Sequence, residues 1–126
     1  MKLPFESPEP VLALGGYLQV EACLAIGREA FPSEPIGDLD TEAARSRLCA
    51  EAQLLESSQA REAGVVAIDL HPDYPSTWLG ERLAAGRGAR LVRVQHHLAH
   101  AAAVLGEHDR FPALGERVAA IVLDGT

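Results

Sequence analysis

Three of the chain's five histidines fall within five positions, His96, His97 and His100, in the stretch LVRVQHHLAHAAAVLGEH. The spacing of His96 and His100 matters if that stretch is helical. Residues four apart lie about 40° apart in rotation and one turn apart in height. Two imidazoles so placed can reach one metal ion, which is the geometry behind the H-E-x-x-H zinc helix. His97 is rotated by about 100° from His96 and need not share the ion. It could back a ligand, touch a substrate or do neither. The competing reading is that all three histidines merely open a helix. Their place at a strand-to-helix junction favours a ligand role, because α/β proteins hold ligands there.

Other residues could complete such a site. Asp124 follows an apolar run and is followed by Gly125 and Thr126. Two histidines and a carboxylate suit Zn(II) or Fe(II), although Asp-Gly is equally a common hairpin turn. Gly15-Gly16 reads either as a plain turn or as a loop whose amides approach a phosphate. In DLHPDY, His71 and Asp73 sit at the C-terminal end of a predicted strand, where ligand-facing residues of α/β sheets gather. Helix capping explains Asp73 equally well.

The elements that must position these groups are legible from punctuation and periodicity. Residues 1–10, MKLPFESPEP, read as a proline-rich linker or the start of a fragment. VLALGG and YLQVEACLAI are predicted strands, and EAFPSEPIGDLD an irregular or edge strand. Asp40 or Thr41 is expected to cap a helix that Gly64 ends. VVAIDL reads as a strand buried on both faces. Asp73 or Ser76 should cap the helix TWLGERLAAGR. RLVRVQ is a strand, HHLAHAAAVLGEH a helix, and RVAAIVLDGT a last strand. The predicted order is β-β-β-α-β-α-β-α-β. It implies an α/β fold with a mixed sheet, as in the ribonuclease H-like subdomain of actin-like ATPases.

The whole chain bounds the function. Its 126 residues are 48% hydrophobic, enough for a packed core. The net charge of −7 argues against nucleic acid as the main partner. Arg87, Arg90 and Arg93 cluster, but read as a solvated face. Cys23 and Cys49 have no C-x-x-C or zinc-finger spacing and read as reduced structural thiols. An apolar leader and a membrane-length apolar run are both absent from the sequence. The expectation is a soluble, cytoplasmic protein with no membrane partner.

Taken in order, PVLALGG, CLAIGREAF, IGDLD, DLHPDYPSTWLGERLA, LVRVQHHLAHAAAVLGEH and VLDGT resemble the HypF carbamoyltransferases, [NiFe]-hydrogenase maturation factors. DLHPDYPST and VQHHLAH are the most specific parts. The matching region is the first half of that family's metal-binding, actin-like ATPase domain, itself similar to the TsaD family. The resemblance implies cleavage of carbamoyl phosphate and formation of carbamoyl adenylate with ATP. It further implies transfer of the carbamoyl group to the C-terminal cysteine of a HypE-type partner, where dehydration later makes a cyanide ligand. By family position, His96 and His100 match the metal ligands and Asp124 an aspartate beside them. Gly15 and Gly16 match the first nucleotide-facing hairpin, and Gly125 and Thr126 open a second phosphate loop.

The chain also departs from the pattern. Where the family continues its glycine pair with ELKNT, this chain has Tyr17-Leu18-Gln19-Val20-Glu21. A lysine charge is replaced by neutral Gln19, and Glu21 adds a negative one, which is unfavourable beside phosphates. The family's QHIGDL has Glu34-Pro35-Ile36 in place of its first residues. The expectation is that residues 11–126 form the N-terminal lobe of such a domain, truncated at its C-terminus. The second lobe and the adenylate-forming modules would have to come from elsewhere for catalysis. The alternative is a non-catalytic remnant or interaction module that keeps the fold and has lost nucleotide binding.

Overall fold

A computed structural model describes residues 1–108 and 116–122. The elements are β1 (Lys2–Ala13), β2 (Cys23–Pro32), α1 (Glu42–Ser58), β3 (Val65–Asp69), α2 (Pro75–Arg87), β4 (Arg90–Val94) and α3 (His96–Glu107). Among the described residues the four strands form one mixed sheet in the order β2-β1-β3-β4. β1 and β2 are antiparallel, whereas β1, β3 and β4 run parallel. The α/β class with a mixed sheet is as expected; the element order differs at both ends.

At the N-terminus, the expected linker is part of β1. Its first residues pair irregularly with β2, with register shifts on either side of Ser7. Those irregularities accommodate Pro4, Pro8 and Pro10, which have no N–H for a regular ladder. Lys2 pairs with Glu29, and Ala30 N donates to Met1 O at 2.8 Å. β3 pairs only with Val11–Ala13 of β1, so the proline-bearing part is paired on one side.

Of the third strand expected at 29–40, residues 29–32 are the end of β2 and the rest is reduced to a single bridge between Val20 and Gly37. Pro32 and Pro35 remove donors, and Gly37 adopts φ 94°, so no continuous ladder forms there. Residues 17–22 and 33–39 are still laced together: Ile36 N donates to Val20 O, and Leu39 N to Tyr17 O. This seats Val20, Ala22 and Leu39 in the core.

α1 begins as predicted at Thr41, whose Oγ1 accepts from Ala44 N at 3.1 Å. Leu48, Ala52 and Leu55 form its buried stripe. The helix ends at Ser58, earlier than Gly64, because Glu56 organises the exit. Arg61 N donates to Glu56 O, and Ala63 N to Glu56 Oε2 at 2.7 Å. α2 opens at Tyr74 with Pro75 in its first turn, and neither Asp73 nor Ser76 caps it.

α1 and α2 contact each other and both pack on the sheet. Leu12 and Leu14 of the β1 arm, with Val66 and Ile68 of β3, alternate onto that face and are at most 2% exposed. Arg87 is not on a solvated face: it reaches Glu56 through two nitrogens, at 2.6 and 2.9 Å. Arg90 pairs with Glu9, and Arg93 with Glu81. Both cysteines are free thiols. The predicted last strand is not formed at 117–122, where Val118 and Ile121 are exposed. Apolar composition supports a strand only where a ladder partner completes it, and the described residues provide none there. No helix among the described residues is long and apolar enough to cross a membrane.

Candidate functional site

The second face of the sheet carries small side chains. Ala13, Gly15 and Gly16 at the end of β1 and Ala67 of β3 form the floor of a cleft of about 600 Å³. The opposite wall is α3, through His96, Ala99, His100 and Ala103. These follow the i, i+3, i+4, i+7 pattern of one helix face. Small residues on both sides leave the space open, and α3 buries none of its described residues.

α3 starts at Gln95, whose side-chain oxygen accepts from Leu98 N at 2.8 Å. This cap brings the histidines in directly after β4. The rings of His96 and His100 meet edge-on with centroids 4.6 Å apart, and their Nε2 atoms are 3.0 Å apart. Two imidazole nitrogens ligating one zinc tetrahedrally stand about 3.3 Å apart. The observed pair therefore fits a shared ion with a few tenths of an ångström of opening. Among the described residues no three His, Cys, Asp or Glu side chains converge on one point. The pair would supply two ligands to such an ion, and further ones would enter from the cleft. Asp124, Gly125 and Thr126 lie outside the described residues.

The glycine pair has two different jobs. Gly15 takes φ 76°, and a Cβ there would press on Glu21 O and the Val20 side chain. Gly16 lies beside the imidazole, where a Cβ would meet His96 Cε1 at 3.4 Å and Asp69 Oδ2 at 3.6 Å, ordinary contact distances. Gln19 and Glu21 of the following loop also line the cleft, and Gln19 N donates to Asp38 Oδ1 at 2.9 Å.

His97 and His71 lie elsewhere. His97 is exposed, and its Nδ1 is 3.3 Å from the Gln95 amide nitrogen. His71 stacks on Tyr74 with ring centroids 4.2 Å apart, and its Nδ1 accepts from Asp73 N. The side chain of His71 does not line the cleft.

Three residues of the site escaped the sequence reading. Asp69, at the end of β3, places Oδ2 2.8 Å from His96 Nδ1. Ser76 Oγ donates to Gly16 O at 2.5 Å, and Thr77 Oγ1 to His71 O at 2.8 Å. Both hydroxyls are fully buried. The one available signal was position: all three flank the loop HPDYP at the C-terminal end of a parallel strand.

Comparison with known proteins bears on this arrangement. The family model described as the HypF Kae1-like domain matches residues 6–107. A carbamoyltransferase HypF2 from Cupriavidus necator is 43% identical over 126 residues, covering 99% of this chain and 15% of that protein. A carbamoyltransferase HypF homolog from the same organism is 43% identical over 116 residues, covering 92% of this chain and 28% of that protein. A carbamoyltransferase HypF from Rhodobacter capsulatus is 38% identical over 122 residues, 96% of this chain and 16% of that protein. Among solved structures, a full-length HypF in a phosphate- and nucleotide-bound form superposes with a TM-score of 0.78 at 33% identity. That match covers 86% of this chain and 16% of that one. The chain thus spans only a minor part of the relatives it matches.

Proposed function

This chain belongs to the HypF Kae1-like domain family, and from that premise we propose that it forms the nucleotide- and metal-facing lobe of a HypF-type carbamoyltransferase. In this reading the whole enzyme moves a carbamoyl group from carbamoyl adenylate to the C-terminal cysteine of a HypE-type partner. The thiolate attacks the carbamoyl carbon, a C–S bond forms, and the bond to the phosphate oxygen breaks with AMP leaving. The remaining adenylate-forming modules and the second lobe belong to the rest of such an enzyme, since this chain matches 15% of the HypF2 relative's length.

One observation carries the reading: a single cleft brings the glycine hairpin and the imidazole pair together. His96 and His100 would hold a divalent ion, Zn(II) or Fe(II), with Asp124 as the expected carboxylate. Such an ion neutralises phosphate charge and polarises a carbonyl oxygen. The chain's own part is to orient. The backbone amides at Gly15 and Gly16 would meet nucleotide phosphates, and small residues leave room for the ligand.

The test is metal binding by the purified chain. One Zn(II), or Fe(II) under anaerobic conditions, is expected per chain, and His96→Ala with His100→Ala should abolish it. Unchanged stoichiometry in the double variant would overturn the assignment.

Gln19 and Glu21 on the cleft wall favour a second reading, a non-catalytic module that keeps the fold. A carboxylate beside phosphates opposes nucleotide binding. Titrating ATP and metal into the chain joined to a complete second lobe separates the two. Binding there supports the enzyme reading, and its absence supports the module.

A further inference from the structure

We infer that Asp69 is the positioning residue of the imidazole pair, holding His96 by Nδ1 so that its Nε2 faces the cleft. The inference rests on the metal reading above and assigns a role to a residue outside the expected ligand set.

Asp69 is 8% exposed at the end of β3, an expensive place for a carboxylate without partners. Both of its oxygens are engaged. Oδ1 accepts from His71 N at 2.9 Å, and Oδ2 lies 2.8 Å from His96 Nδ1. Among the described residues no lysine or arginine forms an ion pair with it, so His96 is the one side chain at ion-pair distance. An ionised carboxylate only accepts, so the contact selects the imidazole with its proton on Nδ1. His96 Nε2 then keeps its lone pair and, in the metal-free chain, accepts from His100 Nε2–H 3.0 Å away. Metal-binding histidines are commonly backed in this way, and the backing fixes both tautomer and ring orientation.

The turn that carries the carboxylate is held by α2. Thr77, fully buried on α2, donates its one hydroxyl proton to the His71 carbonyl at 2.8 Å and lies 3.3 Å from the Asp69 carbonyl, which holds the turn between them. Gly16 lies beside the pair: a Cβ there would sit 3.4 Å from His96 Cε1 and 3.6 Å from Asp69 Oδ2, ordinary contact distances. The ends of β1 and β3 therefore meet at one imidazole, and the first turn of α2 holds the turn that follows β3. A purely structural role would not require a charge here, because a neutral residue could end β3 without the desolvation cost.

The experiment compares the whole chain with Asp69→Ala and Asp69→Asn, using Co(II) and Zn(II) as probes. Two quantities are read: the metal dissociation constant, and the His96 tautomer from imidazole ¹⁵N shifts in the metal-free protein. Asp69→Ala should weaken metal binding by about 10- to 100-fold and mix the His96 tautomers. Asp69→Asn keeps an acceptor oxygen without the charge and should recover part of both. Unchanged metal affinity in Asp69→Ala overturns the inference. If Asp69→Ala does not fold, Asp69→Asn decides: several-fold weaker binding at an unchanged melting temperature supports it, and equal binding overturns it. If the unaltered chain binds no metal, the metal reading fails and the tautomer decides Asp69's role. A single Nδ1–H form lost in the variants supports positioning, and mixed tautomers in the unaltered chain overturn it.

Discussion

Replacing Gly80 with alanine should destabilise this protein, whereas the same change at Gly86 in the same helix should stabilise it. Alanine is favoured over glycine in a helix interior by about 1 kcal/mol, so local propensity alone predicts a gain at both sites. The surroundings reverse the sign at Gly80. A Cβ there would overlap Ile68 Cγ2, with Leu14 Cδ1 at 3.2 Å and Val66 Cγ1 at 3.5 Å. Ile68 is 2% exposed, and its β-branched side chain has one stiff χ1 well. Its methyl cannot swing away, so α2 must lift from the sheet. Overpacking of this kind costs about 1–3 kcal/mol; at the upper end of that range, where so close an overlap belongs, about 1–2 kcal/mol of net loss is left after the propensity gain of about 1 kcal/mol. At Gly86 a Cβ meets open space among the described residues, and a gain of about 0.5–1 kcal/mol is expected. Urea unfolding followed by circular dichroism at 222 nm would read both as opposite shifts of the midpoint at constant slope. The melting temperatures should separate by roughly 5–10 °C. If Gly80→Ala stabilises as much as Gly86→Ala, α2 does not sit on β3 as closely as described. The placing of Ser76 and Thr77 in its first turn would fall with it.

Two further outcomes follow from the same packing. Burial alone would raise the Glu56 carboxyl, but hydrogen bonds from Arg87 and Ala63 N, with the Arg87 charge, hold it below its ordinary 4.5. A carboxyl depressed in the folded state contributes stability in full above its unfolded value and loses it as pH falls through the folded one. Glu56→Gln should therefore cost about 1–3 kcal/mol at pH 7, with the gap to the unaltered chain closing below about pH 4.5; parallel stability curves from pH 7 to 3 would refute this. Ser76→Ala should cost about 1 kcal/mol by removing the donor to Gly16 O. It should also raise hydrogen exchange in residues 14–17 while leaving α1 unchanged, and uniform exchange throughout would count against the coupling.

Local chemistry was enough for several parts of this molecule. The Thr41 cap, the buried stripe of α1 and the five-residue β3 are written in composition and periodicity, because each depends on neighbours within one or two turns. The facing of His96 and His100 is of the same kind, since the pitch of one helix imposes it. The motifs around them also sufficed for the family. What stayed hidden depends on partners far along the chain. PFESPEP reads as a linker until β2 offers it a ladder, and Pro32, which ends β2, and Pro35 leave one bridge where the expected strand would have continued. Ser76 looks like a helix cap, but its hydroxyl meets the carbonyl of Gly16, and the neighbouring Thr77 hydroxyl meets those of Asp69 and His71. Asp69 is separated from His96 by 27 positions, and parallel pairing of Asp69 with Val94 brings them within 2.8 Å. A sequence sets which donors and acceptors exist and how they repeat along one element. Hydrogen bonds act within about 3 Å, so only the packed sheet decides which of those groups meet.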